Sequence, residues 1–100
     1  MVKIHLNAGQ GNTINSNTAS VSLGKDTVYI YQNDNTGKVF NNTKLTSTGD
    51  RNYGLYGNGT MENNAVIDFA SGKGNVGIYS TGGTATNKSV IKVSETNLAN

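Results

Sequence analysis

The sequence predicts an all-β fold, a parallel β-helix (β-solenoid) of about four rungs of 22 to 26 residues. Three observations support this prediction. Asparagine, glycine, threonine and serine make up about half of the 100 residues, and proline is absent. The apolar residues fall in short β-branched or aromatic runs such as TVYIY, AVIDF and SVIKV, which are typical of strands. The same residue pattern also recurs along the chain, which indicates a repeat protein.

The repeat is clearest in two adjacent stretches, NYGLYGNGTMENNAVIDF and NVGIYSTGGTATNKSVIKV. An offset of 23 residues aligns Gly54 with Gly77, and one inserted residue then changes the offset to 24. A fainter copy precedes them at an offset of 22. Near the start, GNTINSNTASVSL has the same order of an apolar residue, a polar Asn/Ser stretch and two further apolar residues. Leucine-rich repeats share this period, but the chain has few leucines. The predicted repeats, all within one segment that covers 1–100, are 37–58, 59–82 and 83–97.

In a parallel β-helix each repeat forms one rung, and equivalent residues of successive rungs lie about 4.8 Å apart. Inward positions then need similar side chains in every rung, which explains why the copies resemble one another. The alignment predicts an aliphatic column and an asparagine ladder whose amides hydrogen-bond from rung to rung. The column consists of Leu45, Ile67 and Ile91, and the ladder consists of Asn41, Asn63 and Asn87.

Two further expectations concern the outside of the rungs and their corners. Asp68 and Lys92 are predicted to lie opposite each other on neighbouring strands with opposite charge. Four glycines at repeated positions are predicted to take a positive φ at corners, where a Cβ is unfavourable. These glycines are Gly54, Gly59, Gly77 and Gly83.

The tyrosines form the most distinctive surface feature of the sequence. Tyr56 and Tyr79 occupy the same repeat position, directly after the inward-facing Leu55 and Ile78. Because side chains alternate along a strand, these tyrosines are predicted to point outwards and to stack into a contact strip that Tyr31 extends. Outward aromatic rings can bind a sugar or a protein. They can also seal a corner of the solenoid by ring-on-ring packing, and both interpretations stay open at this point.

The sequence predicts no catalytic, cofactor-binding or metal-binding residues. GKGNVG matches the G-x-G-x-x-G pattern of dinucleotide sites, but strand residues follow it where such a site needs a helix, so a turn between rungs is expected. His5 is the only histidine and cysteine is absent, so a zinc site is not expected and His5 is predicted to face solvent. The acids that come closest to a cluster are Asp26 with Asp34, and Asp50 beside Arg51. QNDNTG resembles a calcium loop in composition but not in spacing, with Asp34 as its best ligand.

Charge and hydropathy limit the partners. The net charge is +2, and the lysines are scattered along the chain, so no nucleic acid is expected as a partner. No apolar run approaches the roughly 18 residues that cross a membrane as a helix, so this segment is not expected to insert directly.

The cadence N-x-G-[LI]-Y … G-T-x-x-N … V-I-x-[FV], clearest over Asn52 to Val93, resembles the passenger repeats of fusobacterial-type autotransporter adhesins. These are type V secretion proteins of the outer membrane of Gram-negative bacteria. The resemblance implies that the chain is a fragment of a much longer passenger, displayed on the cell surface and attached to the outer membrane through parts of the chain not present here. It also implies a non-enzymatic scaffold that contacts a host or bacterial surface protein or glycan.

Two other functions stay open from the residues alone. Some polysaccharide lyases and hydrolases also have the parallel β-helix fold, so the chain is compatible with a fragment of a carbohydrate-active enzyme. It is also compatible with a self-assembling structural solenoid or an ice-binding one. Four bare rungs expose unpaired strand edges, and a homo-dimer through these edges is therefore expected.

Overall fold

The computed structural model describes residues 2–8 and 13–94, which form a parallel β-solenoid of four coils, as predicted. None of these residues forms a helix long and apolar enough to cross a membrane. Each coil consists of three short strands in chain order. Coil 1 contains β1 (Lys3–Asn7), β2 (Thr13–Ser16) and β3 (Val21–Leu23), and coil 2 contains β4 (Thr27–Gln32), β5 (Lys38–Asn41) and β6 (Leu45–Ser47). Coil 3 contains β7 (Tyr53–Gly57), β8 (Thr60–Asn63) and β9 (Ile67–Phe69), and coil 4 contains β10 (Val76–Ser80), β11 (Thr84–Asn87) and β12 (Ile91–Val93).

Every coil contributes one strand to each of three sheets, which we call A, B and C. Sheet A has the order β1-β4-β7-β10, sheet B the order β2-β5-β8-β11, and sheet C the order β3-β6-β9-β12. Neighbouring strands are parallel throughout. The repeats predicted at 37–58 and 59–82 each contain one strand of every sheet. Of the repeat predicted at 83–97, the last three residues lie outside the described residues.

The strands of sheet B follow the alternation expected of a sheet with one face on the core. In β5, Val39 and Asn41 are buried, whereas Lys38 is exposed and Phe40 is half-buried. β8 repeats this pattern with Met61 on the inside. The inward pairs of β5 and β8 therefore each combine one apolar residue with one asparagine.

The core runs along the axis of the solenoid as columns of equivalent residues. In sheet C, Leu45 pairs with Ile67, and Ile67 pairs with Ile91, in the order that the repeat alignment gives. Val21 adds a fourth member in coil 1. Leu45 and Ile67 are 0% exposed, whereas Ile91 is half-buried because it belongs to the last described coil.

Sheet A departs from simple alternation. Tyr29 and Ile30 are adjacent in β4, and both are buried at 1% exposure. Their equivalents in β7 are Gly54 and Leu55, which also face the core. Leu55 is 0% exposed, and a Cβ on Gly54 would lie 3.0 Å from Cδ1 of the core residue Ile67. The strand therefore bends, so that two consecutive residues turn inwards and the residues on either side of them turn outwards.

This bend corrects one prediction about the glycines. Gly59 and Gly83 have φ angles of 73° and 77°, which confirms the expected corners. Gly54 and Gly77 lie within strands of sheet A without a positive φ, so the prediction for these two was wrong. They make room for the core instead, since a Cβ on Gly77 would lie 2.5 Å from Cγ2 of Ile91.

The expected placement of Asp68 opposite Lys92 on sheet C is confirmed, but the two side chains form no ion pair. Asp68 and Lys92 are neighbours in the strand register. However, Asp68 accepts a hydrogen bond from the backbone N–H of Ala70 at 3.2 Å, and none of the ion pairs between described residues joins it to Lys92. The carboxylate of Asp68 thus hydrogen-bonds to the turn that follows β9 in its own coil. An ion pair between coils 3 and 4 forms on sheet B, where Lys88 Nζ lies 3.3 Å from Glu62 Oε1.

Candidate contact surface

Three equivalent tyrosines form a column on sheet A. Tyr31 pairs with Tyr56, and Tyr56 pairs with Tyr79, in the strand register. The rings of Tyr56 and Tyr79 are stacked, with centroids 4.9 Å apart and planes 7° from parallel. The ring of Tyr31 lies 5.9 Å from that of Tyr56 at an angle of 38°. Because Tyr79 is 45% exposed and the other two are half-buried, solvent reaches all three rings.

A fourth ring, that of Tyr53, joins this column. It meets Tyr56 edge to face at 5.2 Å and 86°, and Tyr79 at 5.9 Å and 83°. Edge-to-face contacts are favourable because the positive edge of one ring meets the negative face of another. Strict alternation would put Tyr53 on the same side as Leu55, and the inward bend of sheet A reverses this. We call the four rings of Tyr31, Tyr53, Tyr56 and Tyr79 the tyrosine face.

A groove of about 260 Å³ adjoins the tyrosine face. Tyrosine hydroxyls are the only polar side-chain atoms of the six residues that line it, which are Val2, Ile4, Val28, Tyr31, Tyr53 and Tyr56. Val2 and Ile4 are 56% and 46% exposed. Apolar walls with a few hydroxyl groups suit a ligand that presents an apolar face together with hydrogen-bonding groups.

The asparagine ladder lies on the inner face of sheet B, whereas the tyrosine face lies on the outer face of sheet A. Asn41 Nδ2 donates to Oδ1 of Asn63 at 2.8 Å, and Asn63 Nδ2 donates to Oδ1 of Asn87 at 2.9 Å. In coil 1, Ser16 Oγ donates to Oδ1 of Asn41 at 2.8 Å. Asn63 Nδ2 also donates to the carbonyl of Ala65 at 2.7 Å, which holds the turn between sheets B and C. The ladder therefore satisfies buried polar groups and connects all four coils.

A second asparagine column, which was not predicted from the sequence, occupies the corner between sheets C and A. Asn75 Oδ1 accepts a hydrogen bond from the backbone N–H of Asn52 at 2.8 Å, and Asn52 Oδ1 accepts one from that of Thr27 at 3.2 Å. Both asparagines are 0% exposed. They open the two aligned sequence copies, so their repetition was the available signal. The spacing does not reveal that a side chain bonds to the backbone of the preceding coil.

The same corner carries Asp50 and Arg51, which the sequence grouped with each other, together with Asp26, which the sequence grouped with Asp34. Arg51 Nε lies 2.5 Å from Oδ1 of Asp26, and Arg51 Nη1 lies 3.9 Å from Oδ2 of Asp50. The hydrogen bond from Arg51 holds the pKa of Asp26 below its ordinary value, and the same bond raises the pKa of Arg51. One exposed guanidinium therefore lies between two carboxylates of neighbouring turns.

Asp34, His5 and GKGNVG, the other candidates for a metal or nucleotide site, have local structural roles. Asp34 Oδ1 accepts hydrogen bonds from the backbone N–H and the hydroxyl of Thr36, both at 2.9 Å, which shapes its own loop. His5 is exposed, and its ring lies 5.0 Å from that of Tyr29. GKGNVG forms the turn from β9 into β10, as expected for a connection between rungs. Within 2–8 and 13–94, no three His, Cys, Asp or Glu residues are grouped so that they could hold a metal ion.

The fold and this surface define a class of protein, a three-sided parallel β-solenoid with an external aromatic face. Comparisons with protein-family models, curated proteins and solved structures give no match to the chain. The resemblance to autotransporter passengers therefore rests on the sequence cadence alone.

Proposed function

We propose that the chain is a non-enzymatic repeat scaffold of a surface-displayed bacterial adhesin of the autotransporter type. In this proposal the tyrosine face is the contact surface for a host or bacterial surface protein or glycan. The observation that carries the proposal is the stacking of solvent-accessible tyrosine rings on the outside of the solenoid. The sequence cadence supports the cell-surface location, with attachment to the outer membrane through other parts of a longer chain.

Tyrosine is suited to such a surface because it offers a large apolar area, a hydroxyl group and few rotatable bonds. In the tyrosine face each ring already packs against at least one other ring. These rings therefore lose little conformational freedom when a partner binds, which lowers the entropic cost of association. The adjoining groove offers space for an apolar side chain of a protein or for one face of a sugar ring.

Sealing of the corner, the other interpretation of these rings, accounts for part of the cluster. Tyr53 packs in a T-shaped arrangement against two neighbours and fits a packing role. Tyr79 lies at the end of the column and remains 45% exposed, so it seals little. The proposal therefore assigns packing to Tyr53 and contact to Tyr56 and Tyr79.

Binding of the purified full chain to a glycan array and to host or bacterial cells tests this assignment. We expect the double variant Tyr56→Ser/Tyr79→Ser to lose binding by roughly tenfold or more, equivalent to about 1.4 kcal/mol. Phe40→Ser is the matched control, because Phe40 is a half-buried aromatic residue on the outer face of sheet B. Circular dichroism verifies that each variant is folded. Unchanged binding by the double variant, or the same loss in Phe40→Ser, contradicts the proposal.

An activity screen on acidic polysaccharides separates this proposal from the enzyme alternative. We expect no turnover of any polysaccharide by the wild-type chain. Release of unsaturated or reducing ends in proportion to protein concentration would replace the adhesin proposal with a carbohydrate-active one.

A further inference from the structure

Coils 1 and 4 differ from the middle coils because one edge of each of their sheets has no neighbouring strand among the described residues. β10, β11 and β12 each end a sheet on one side, and β1, β2 and β3 end the same sheets on the other. An open strand edge is a template on which a further strand can pair. The hydrophobic residues that pack on the core but stay partly exposed all belong to these two coils: Leu6, Ile14, Val21, Ile78, Ile91 and Val93.

These partly exposed residues lie at opposite ends of the same columns. One column of sheet A begins with Leu6 in coil 1 and ends with Ile78 in coil 4. One column of sheet C begins with Val21 and ends with Ile91. If coil 4 met coil 1 of a second copy, Ile78 would lie beside Leu6 and Ile91 beside Val21. Both contacts are of the aliphatic kind that fills these columns inside one chain.

The asparagine ladder has a direction, and its two ends are complementary. Asn63 uses Nδ2 twice, for the carbonyl of Ala65 and for Oδ1 of Asn87 in the next coil. Asn87 donates in the same way to the carbonyl of Ser89 at 2.9 Å. By equivalence, its other amide hydrogen is directed beyond coil 4. Coil 1 begins the ladder with Ser16 Oγ, a hydroxyl oxygen that can accept this hydrogen bond.

At the starts of the strands of sheet C, backbone N–H groups point in the same sense as the ladder. Leu45 N–H donates to the carbonyl of Val66 at 3.0 Å, and Ile67 N–H donates to that of Val90 at 2.9 Å. Both bonds run from one coil to the following coil. By equivalence, the N–H of Ile91 points beyond coil 4, towards the carbonyl that a further coil would supply.

From these matches we infer that coil 4 of one copy stacks on coil 1 of a second copy, so that the solenoid continues across the junction. The partner is another copy of this chain because the aliphatic columns and the asparagine ladder match at the two ends, apolar against apolar and donor against acceptor. This contact joins different surfaces of the two copies, so it does not close on itself and generates an open-ended assembly. It is independent of the contact function proposed for the tyrosine face. It concerns the 100-residue chain by itself, since in a longer passenger further coils of the same chain would occupy these edges.

Sedimentation of the full chain over a range of concentrations tests this inference. We expect the mass to rise beyond that of a dimer without a plateau. Ala85→Glu is expected to weaken association roughly tenfold or more, because Ala85 is exposed in coil 4 but belongs to the inward column of Val39 and Met61. Thr84→Glu adds the same charge on the outer face and is expected to associate like the wild type. A monomer at every concentration, or equal behaviour of the two variants, overturns the inference.

Engineered cysteines test the order of the ends, since the natural chain has no cysteine. Thr13 in coil 1 and Thr84 in coil 4 are the two ends of one outer column of sheet B. Head-to-tail stacking would place them about 4.8 Å apart, within the Cα separation that a disulfide spans. We expect oxidation to link Thr13→Cys copies to Thr84→Cys copies, with neither variant linking to itself. Thr84→Cys copies that link to each other as readily would show tail-to-tail pairing and overturn the inference.

Discussion

Coils 3 and 4 have similar sequences and the same three strands, but their side chains are buried to very different extents. Asn63 and Asn87 occupy one column, and Asn63 is 0% exposed whereas Asn87 is exposed. Ile67 is 0% exposed, and its equivalent Ile91 is only half-buried. Coil 3 has a neighbour on both sides, and coil 4 has one among the described residues. Burial in this fold is thus a property of position in the stack, and stability is expected to depend on interfaces between adjacent coils.

The largest difference between the two coils is expected for a charge in the aliphatic column. Ile67→Asp buries a carboxylate between Leu45 and Ile91 without a partner and should lower the free energy of unfolding by about 4 kcal/mol or more, enough to unfold the chain. Ile91→Asp should be much milder, because the carboxylate can reach solvent. Thermal melts followed by circular dichroism measure both effects.

Val66→Asp is the local control for this prediction, because Val66 precedes Ile67 and is partly exposed. We expect it to cost far less than Ile67→Asp. If Ile67→Asp and Val66→Asp were equally harmless, the proposed dependence of stability on the buried column would be wrong.

The asparagine ladder should show the same contrast at smaller magnitude. Asn63→Ala leaves one amide hydrogen of the buried Asn41 without its acceptor and the carbonyl of Ala65 without its donor. Each buried polar group that loses its partner costs about 1–3 kcal/mol, so we expect a total loss of about 3 kcal/mol. Asn87→Ala should cost about 1 kcal/mol or less, because water can replace the exposed amide. Equal losses in urea denaturation would show that the ladder contributes no more in the middle of the stack than at its end.

The repeat spacing was sufficient to predict the fold and the columns of equivalent residues. Rungs of a parallel solenoid stack in register, so an offset that aligns Asn41 with Asn63 in the sequence also places them side by side in space. Tyr31, Tyr56 and Tyr79 came together for the same reason. In this fold, two residues separated by the repeat offset in the sequence are therefore neighbours in space. This rule does not hold in folds with long-range crossovers.

Spacing did not predict how a strand bends within a rung. Tyr53 joined the tyrosine face because two consecutive residues of sheet A turn inwards, and strict alternation places it inside. Gly54 was expected at a corner, because glycine in a repeat usually marks a positive φ, but here its missing side chain makes room for Ile67. The pairing of Asp26 with Arg51 was also not predicted, because the first copies of the repeat are too faint to align these two residues reliably.

Gly54 and Gly77 allow a third comparison between the inner and outer coils. A Cβ on Gly54 would lie 2.5 Å from the backbone oxygen of Gly77 and 3.0 Å from Cδ1 of Ile67, neither of which can move freely. A Cβ on Gly77 would meet the side chain of Ile91, which is half-buried and has room to shift. We therefore expect Gly54→Ala to destabilise by about 1–3 kcal/mol, as overpacking of a core does, and Gly77→Ala by clearly less. Equal melting temperatures of the two variants would contradict this.

The smallest expected effect concerns the exposed corner where Asp26 and Arg51 occupy equivalent positions, with φ angles of 52° and 59°. The pKa of Asp26 is lowered by the hydrogen bond from Arg51, so the stabilisation it supplies is present above its unfolded pKa of about 3.9. It is lost as the pH falls through the still lower folded pKa.

Asp26→Asn keeps the left-handed backbone, which asparagine tolerates, but lacks the charge. We expect the melting temperature of the wild type to exceed that of Asp26→Asn by a constant amount between pH 7 and about 5. The difference should shrink below about pH 4. A difference between wild type and Asp26→Asn that persists unchanged to pH 2 would mean that the ion pair does not stabilise the contact between the turn before β4 and the turn before β7.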